Sequence, residues 1–188
     1  MSTQTADTRR TALSKWALDP AHTQVSFTVK HMMFAKVRGR FTELEGEVLL
    51  AEDSPEDSRA RAVIQARSID TGNGERDEHL RSGDFLDVEQ SPELSFESRS
   101  VERTDDGFAV TGDLTIRDVT RAVELDVVET GRGEDPWGQQ RVGFSATATI
   151  DRRDFGLTWN QALEAGGVLV GNDVKISIEA QAVEEEAS

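Results

Sequence analysis

Phe108-Ala109-Val110-Thr111-Gly112-Asp113-Leu114-Thr115-Ile116-Arg117-Asp118-Val119-Thr120-Arg121-Ala122-Val123-Glu124-Leu125-Asp126-Val127 is the stretch on which the fold turns. Phe108, Val110, Gly112, Leu114 and Ile116 alternate with Ala109, Thr111, Asp113 and Thr115, and Val123, Leu125 and Val127 alternate with Glu124 and Asp126. A period of two with the apolar members on one face is the pattern of a half-buried antiparallel strand. Arg117-Asp118 between the runs is a turn signal, because Asp tolerates positive φ.

The same rhythm extends in both directions. Upstream lie Val25, Phe27 and Val29; Val37, Gly39 and Phe41; Leu44, Gly46, Val48 and Leu50; Ala60, Ala62, Ile64 and Ala66; and Leu94, Phe96 and Ser98. Downstream lie Val142, Phe144, Ala146, Ala148 and Ile150, then Val174, Ile176, Ile178, Ala180 and Ala182. Asp105-Asp106-Gly107, Gly131 to Pro136 and Gly171-Asn172-Asp173 supply further turns. The phase changes between Phe41 and Leu44, which predicts one strand over 37–50 with a bulge or bend at Thr42 and Glu43 that curves the sheet. About eight short antiparallel strands with one apolar face must dispose of their edges. Closure into an all-β, eight-stranded, lipocalin-like barrel does so, and a two-sheet sandwich is the alternative.

Two segments interrupt the rhythm. Glu75 to Ser82, after the Asn73-Gly74 turn, reads as a short helix with Gly83 as its left-handed cap and Leu80 as its one apolar contact. His31-Met32-Met33-Phe34-Ala35 reads as a single helical turn plugging one end of the barrel. Residues 1–15 read as a flexible arm, 16–183 as the barrel and 184–188 as an acidic tail.

Composition narrows the function. The chain has 188 residues, 36 Asp and Glu against 21 Lys and Arg, a formal charge of -15, and no cysteine. Thiolate nucleophiles, iron–sulfur clusters and thiolate zinc sites are excluded. An acidic surface repels phosphate backbones and anionic lipid, so neither nucleic acid nor stable membrane insertion is expected. Unbroken apolar runs such as Val48-Leu49-Leu50-Ala51 fall far short of the roughly 20 residues of a spanning helix. The first fifteen residues carry no apolar h-region, so a cytoplasmic protein is expected. Pairing with a second copy is left open.

Catalytic readings find little purchase. Asp154-Phe155-Gly156 stands without the other protein-kinase motifs, and no Gly-x-Ser-x-Gly elbow is present. The alternative function is a metal-dependent or acid–base enzyme built on His22, His31 and His79 with Asp77 or Asp84, since imidazole and carboxylate suit zinc and iron. Against it stands the predicted interior. A barrel of eight strands either fills itself with side chains or holds one small ligand. Ala60, Ala62, Ala66, Gly112, Ala146 and Ala148 leave volume, and five inward phenylalanines form an apolar wall, which favours a long apolar cavity.

Several motifs carry a family likeness. Trp16-x-Leu18-Asp19-x-x-His22-x-x-Val25-x-Phe27-x-Val29-x-His31, Val37-x-Gly39-x-Phe41 and Arg76-Asp77-x-His79-Leu80-Arg81-Ser82-x-Asp84-Phe85-Leu86-Asp87 come first. Phe96-x-Ser98, Val110-x-Gly112-x-Leu114-Thr115-Ile116-Arg117-x-Val119-Thr120, Arg153-Asp154-Phe155-Gly156-Leu157 and Gly171-x-Asp173-Val174 follow. Together, over Trp16 to Ala182, the chain resembles the YceI-like family of polyisoprenoid-binding, lipocalin-like proteins. The resemblance implies a non-catalytic barrel that carries or sequesters a long isoprenoid lipid, a prenyl quinone or polyprenyl alcohol, with no metal and no other cofactor. On that reading Phe27, Val29, Phe41, Phe96, Phe108, Phe144 and Ala146 line the tunnel, Met33 and Phe34 stand at its mouth, and His31 and Trp16 meet a polar head group. The charges of the 76–87 segment pair with one another and pin the helix.

Overall fold

The computed structural model describes residues 12–186. Its strands are β1 (Leu13–Leu18), β2 (Gln24–His31), β3 (Ala35–Phe41), β4 (Leu44–Ala51), β5 (Arg59–Gln65), β6 (Ile69–Asp70), β7 (Glu93–Arg103), β8 (Phe108–Ile116), β9 (Val119–Glu134), β10 (Gln140–Asp151) and β11 (Val170–Glu184), with one helix, α1 (Gly74–Arg81), between β6 and β7. Every pairing is antiparallel, and β1 bonds to both β4 and β11, so the sheet closes.

Eleven segments make eight staves. β2 pairs β3 where β1 pairs β4, and β3 pairs β6 where β4 pairs β5. β1–β2, β3–β4 and β5–β6 are thus three bent strands, followed around the ring by β7 to β11. The expected bend at Thr42 and Glu43 is a full break that leaves the strand's course intact. Its backbone groups are met by the neighbouring break: Thr42 N donates to Ser68 O (3.2 Å), and Gln65 N donates to Glu43 O (3.0 Å). Adjacent bends that satisfy one another let the sheet curl without orphaned buried amides.

The hairpin first quoted closes as β8 and β9, with Ile116 opposite Val119. Arg117 (φ 51) and Asp118 (φ 64) are both left-handed, the two-residue turn that matches strand twist. Their side chains are occupied: Arg117 donates to Phe85 O (3.1 Å), and Ser91 donates to Asp118 (3.2 Å). The turn is therefore tied to the segment after α1.

Several expectations need correction. His31 to Ala35 is not a helical turn but the β2–β3 hairpin tip, with Met32 (φ 54) and Met33 (φ 71) in the left-handed region that a right-handed helix excludes. α1 starts one residue early, capped by the Asn73 side chain on Arg76 N (3.1 Å), and ends at Ser82 in extended conformation, so Gly83 is not its left-handed cap. Leu13 to Lys15, read as arm, belong to β1, and Glu184, read as tail, ends β11; Glu185 N donates to Lys15 O (2.8 Å). The rest of the predicted arm, 1–11, and of the tail, 187–188, lies outside the described residues.

Two apolar clusters bracket the interior. At the α1 end, Ala66, Ile69, Leu86, Leu94, Ile116, Val123, Phe155 and Leu157 are buried together. At the other, Trp16, Val142 and Ala182 pack with Leu18, Val48, Leu50 and Phe144.

Candidate ligand-binding lumen

Between these clusters the barrel encloses a cavity of about 830 Å³. Its wall is aliphatic and phenyl: Val25, Phe27 and Val29 from β2, Phe96 from β7, Phe108 and Val110 from β8, Phe144 and Ala146 from β10, Ile176 and Ile178 from β11. The register explains why the phenyl rings leave it open. Phe27 stands opposite Gly39, Phe96 opposite Ala62, and Phe144 opposite Ala180. Each ring thus has a small cross-strand neighbour to lie over. The fit is tight at Gly39, where a Cβ would sit 2.4 Å from Phe27 Cζ, and at Gly112, where it would sit 2.5 Å from Phe96 Cζ. The space that Gly112 was expected to leave for a ligand is therefore taken by the Phe96 ring.

Polar groups gather at the two ends. Toward α1, His79 sits edge-on between Phe85 (5.1 Å) and Trp159 (4.6 Å), with its Nε2 2.9 Å from Asp84. Arg76, Asp77 and Arg81 do not pair with one another but grip the chain beside them. Arg76 bonds to the Thr71 hydroxyl (2.7 Å) and carbonyl (2.9 Å), Arg81 to the carbonyls of Arg67 (2.9 Å) and Ile69 (3.0 Å), and Asp77 accepts from Thr71 N (2.9 Å).

Arg152 also lines this end and is 4% exposed. Its guanidinium donates to the carbonyls of Leu157 (2.6 Å), Trp159 (2.9 Å), Gly171 (2.8 Å) and Val170 (3.4 Å). It thereby holds the long irregular segment between β10 and β11 against the wall. Burial pushes its pKa down from the usual arginine value, but an arginine that begins so high stays charged.

At the far end Arg132 forms the stopper. It bonds to Glu52 (2.5 Å) and Glu129 (2.7 Å) and lies 5.9 Å over the Trp16 ring. Those carboxylates raise its pKa further. Trp16 is 4% exposed, donates from Nε1 to Ser14 Oγ (2.8 Å), and closes the small cluster below the lumen. On the outer surface Arg141 bridges Asp19 and Asp135, each at 2.8 Å. That guanidinium, then His22, holds the Asp19 carboxyl down at about 2.

Of the residues singled out in the sequence, Phe27, Val29, His31, Phe41, Phe96, Phe108, Phe144 and Ala146 are brought together on the lumen wall. Trp16, Met33 and Phe34 do not line it: Trp16 is buried beyond its end, and Phe34 at the hairpin tip is 81% exposed. Ile176 and Ile178 were within reach of the alternation; Arg132, Arg152 and Trp159 carried no periodic signal. The three histidines lie on separate elements, His22 against Asp19 (2.8 Å) and His79 against Asp84. Among the described residues no group of three or more His, Asp or Glu could hold a metal ion. No helix among them is long and apolar enough to cross a membrane.

Comparison with known proteins places this geometry in company. A family model described as the YceI-like domain matches residues 16–182. A UPF0312 protein of Pseudomonas aeruginosa is 39% identical over 136 residues, 72% of this chain and 71% of its own. One from Pectobacterium atrosepticum is 37% identical over 144 residues, 77% and 75%. Among solved structures, the Campylobacter jejuni YCEI protein is 28% identical with a TM-score of 0.71, covering 84% of this chain and 90% of its own. Two more distant structures share the fold. Burkholderia cenocepacia BcnA has a TM-score of 0.77 at 21% identity, covering 87% and 98%. A domain from Saccharophagus degradans, described as polyisoprenoid binding and implicated in plant cell wall breakdown, has 0.66 at 14%, covering 93% and 100%.

Proposed function

The chain belongs to the YceI-like domain family, and on that footing we propose that the barrel is a non-catalytic carrier of one long isoprenoid lipid, a prenyl quinone or polyprenyl alcohol. The observation that carries the reading is the phenyl- and aliphatic-walled lumen of about 830 Å³. An apolar cavity with a few polar groups at its ends suits a ligand that is mostly hydrocarbon with one polar terminus. The description of the Saccharophagus degradans domain as polyisoprenoid binding supports the class of ligand. We place the polar terminus at the α1 end, where His31 lines the mouth, and the hydrocarbon tail toward Arg132, whose charge is already answered by two carboxylates.

Organic extraction of freshly purified protein, read by mass spectrometry, should release an isoprenoid. Protein that releases none and also refuses added prenyl quinone would refute the reading.

A further inference from the structure

The net charge of -15 conceals a local exception. From Gln24 to Thr42 there is no Asp or Glu, while Lys30, Lys36, Arg38 and Arg40 fall within the same span. Strand register puts them on one outward face: Lys30 stands opposite Lys36, Thr28 opposite Arg38, and across the next ladder Thr28 opposite Lys175. Three of the chain's four lysines thus share this patch. Arg40 meets Asp70 at 3.6 Å, but among the described residues Lys30, Lys36, Arg38 and Lys175 form no ion pair with a carboxylate. Lys30 and Lys36, like charges placed directly opposite, are destabilising in a sheet, and an anionic partner from outside would relieve that cost.

The patch runs into an exposed apolar tip. Met32 is 41%, Met33 57% and Phe34 81% exposed. The tip is well fixed. Met32 N donates to Leu169 O (2.8 Å), and Met33 lies against Gly167, where a Cβ would come within 3.0 Å of its Cγ. It also adjoins the lumen: His31 and Leu169 line the cavity. Cations beside a protruding aromatic and two thioethers are the composition of a segment that rests in the headgroup region of an anionic bilayer, apolar tip down.

We propose that the β2–β3 hairpin is a docking site for an anionic lipid bilayer, bringing the α1 end of the lumen to the membrane surface for reversible exchange of cargo. The overall negative charge does not forbid this, because exposed charges more than about 8 Å away are largely screened at physiological salt. The exchange of cargo rests on the carrier reading but docking itself does not, so an empty lumen would overturn the carrier reading and leave docking standing.

Flotation of the full chain with vesicles tests it. The protein should float with vesicles of mixed phosphatidylcholine and phosphatidylglycerol, be released by high salt, and stay behind with phosphatidylcholine alone. Neutralising one cation should lower partitioning about fivefold, and Lys36→Gln/Arg38→Gln/Lys175→Gln together on the order of 100-fold. Phe34→Ser should weaken binding while keeping its salt dependence. All of these residues are off the lumen wall, so melting temperature and extracted lipid should be unchanged. The proposal is overturned by no flotation, by equal flotation on neutral vesicles, or by substitutions that instead convert a dimer to a monomer in sedimentation.

Discussion

Affinity for prenyl alcohols should climb with chain length and stop where the lumen is full. A volume of about 830 Å³, at the roughly 30 Å³ that a water-sized group occupies in a liquid, takes about 28 non-hydrogen atoms. That is between five and six isoprene units of five carbons each. Ligands of this size gain about 0.3 kcal/mol per non-hydrogen atom, so each unit adds about 1.5 kcal/mol, close to tenfold, and a filled lumen gives about -8.4 kcal/mol. The corresponding Kd is about 1 μM. Beyond six units the tail meets Arg132 and Trp16, and further carbons stay outside the wall. Displacement of a fluorescent prenyl probe by alcohols of three, four, five, six and nine units, at one salt and temperature, reads the series. A tenfold gain per unit up to five or six, then a plateau, is expected. A series flat from three units, or one still rising tenfold per unit at nine, would refute lumen volume as the determinant of affinity.

Three substitutions probe the wall and its supports. Ala146→Trp should abolish uptake while changing urea stability by less than about 1 kcal/mol; a cost of about 1–3 kcal/mol with uptake retained would mean a packed core at that point. Gly39→Ala sets a Cβ 2.4 Å from Phe27 Cζ and 2.9 Å from Thr71 Cγ2, so it should cost about 1–3 kcal/mol in thermal unfolding, and Phe27→Leu in the same chain should restore most of it. Asp19, held at about 2 by Arg141 and then His22, is a carboxyl whose folded pKa is depressed; its contribution is present above the unfolded value of about 3.9 and is lost as pH falls through about 2. Asp19→Asn, which keeps an acceptor for Ala21 N, should cost about 1 kcal/mol at pH 7 in urea unfolding, and the difference should vanish by about pH 2.

Which of these features the sequence announced follows from what alternation measures. A period of two reports the face a side chain points to, so it places Phe108, Phe144 and Ile176 inside, and the phase change at Thr42 and Glu43 announces the bend. It does not report height along the barrel axis. Trp16 shares its inward face with Val48, its cross-strand partner, yet it lies beyond the lumen under Arg132. Nor does it report who fills the space over a glycine: at Gly112 the neighbour's ring does. Met32 and Met33 gave no turn signal because unbranched side chains seldom adopt positive φ, and a run of Met and Phe reads as helix or core. Arg152 was invisible for the opposite reason, since its partners are backbone carbonyls of an irregular segment that leaves no residue pattern.

The small residues that keep the wall thin set the energetic terms on which this fold exists. In cores emptied by mutation, stability falls as cavity volume grows, so a lumen of about 830 Å³ is packing that the chain's own side chains do not provide. Closure must therefore supply elsewhere what the interior lacks. Continuous hydrogen bonding around eight staves does part of it, with no buried side-chain donor or acceptor left unpartnered among the described residues. The two apolar clusters at the ends do the rest, one roofed by α1 and the Arg152-held segment, the other by Trp16 under Arg132. The ring is thus held at its rims and left open in the middle.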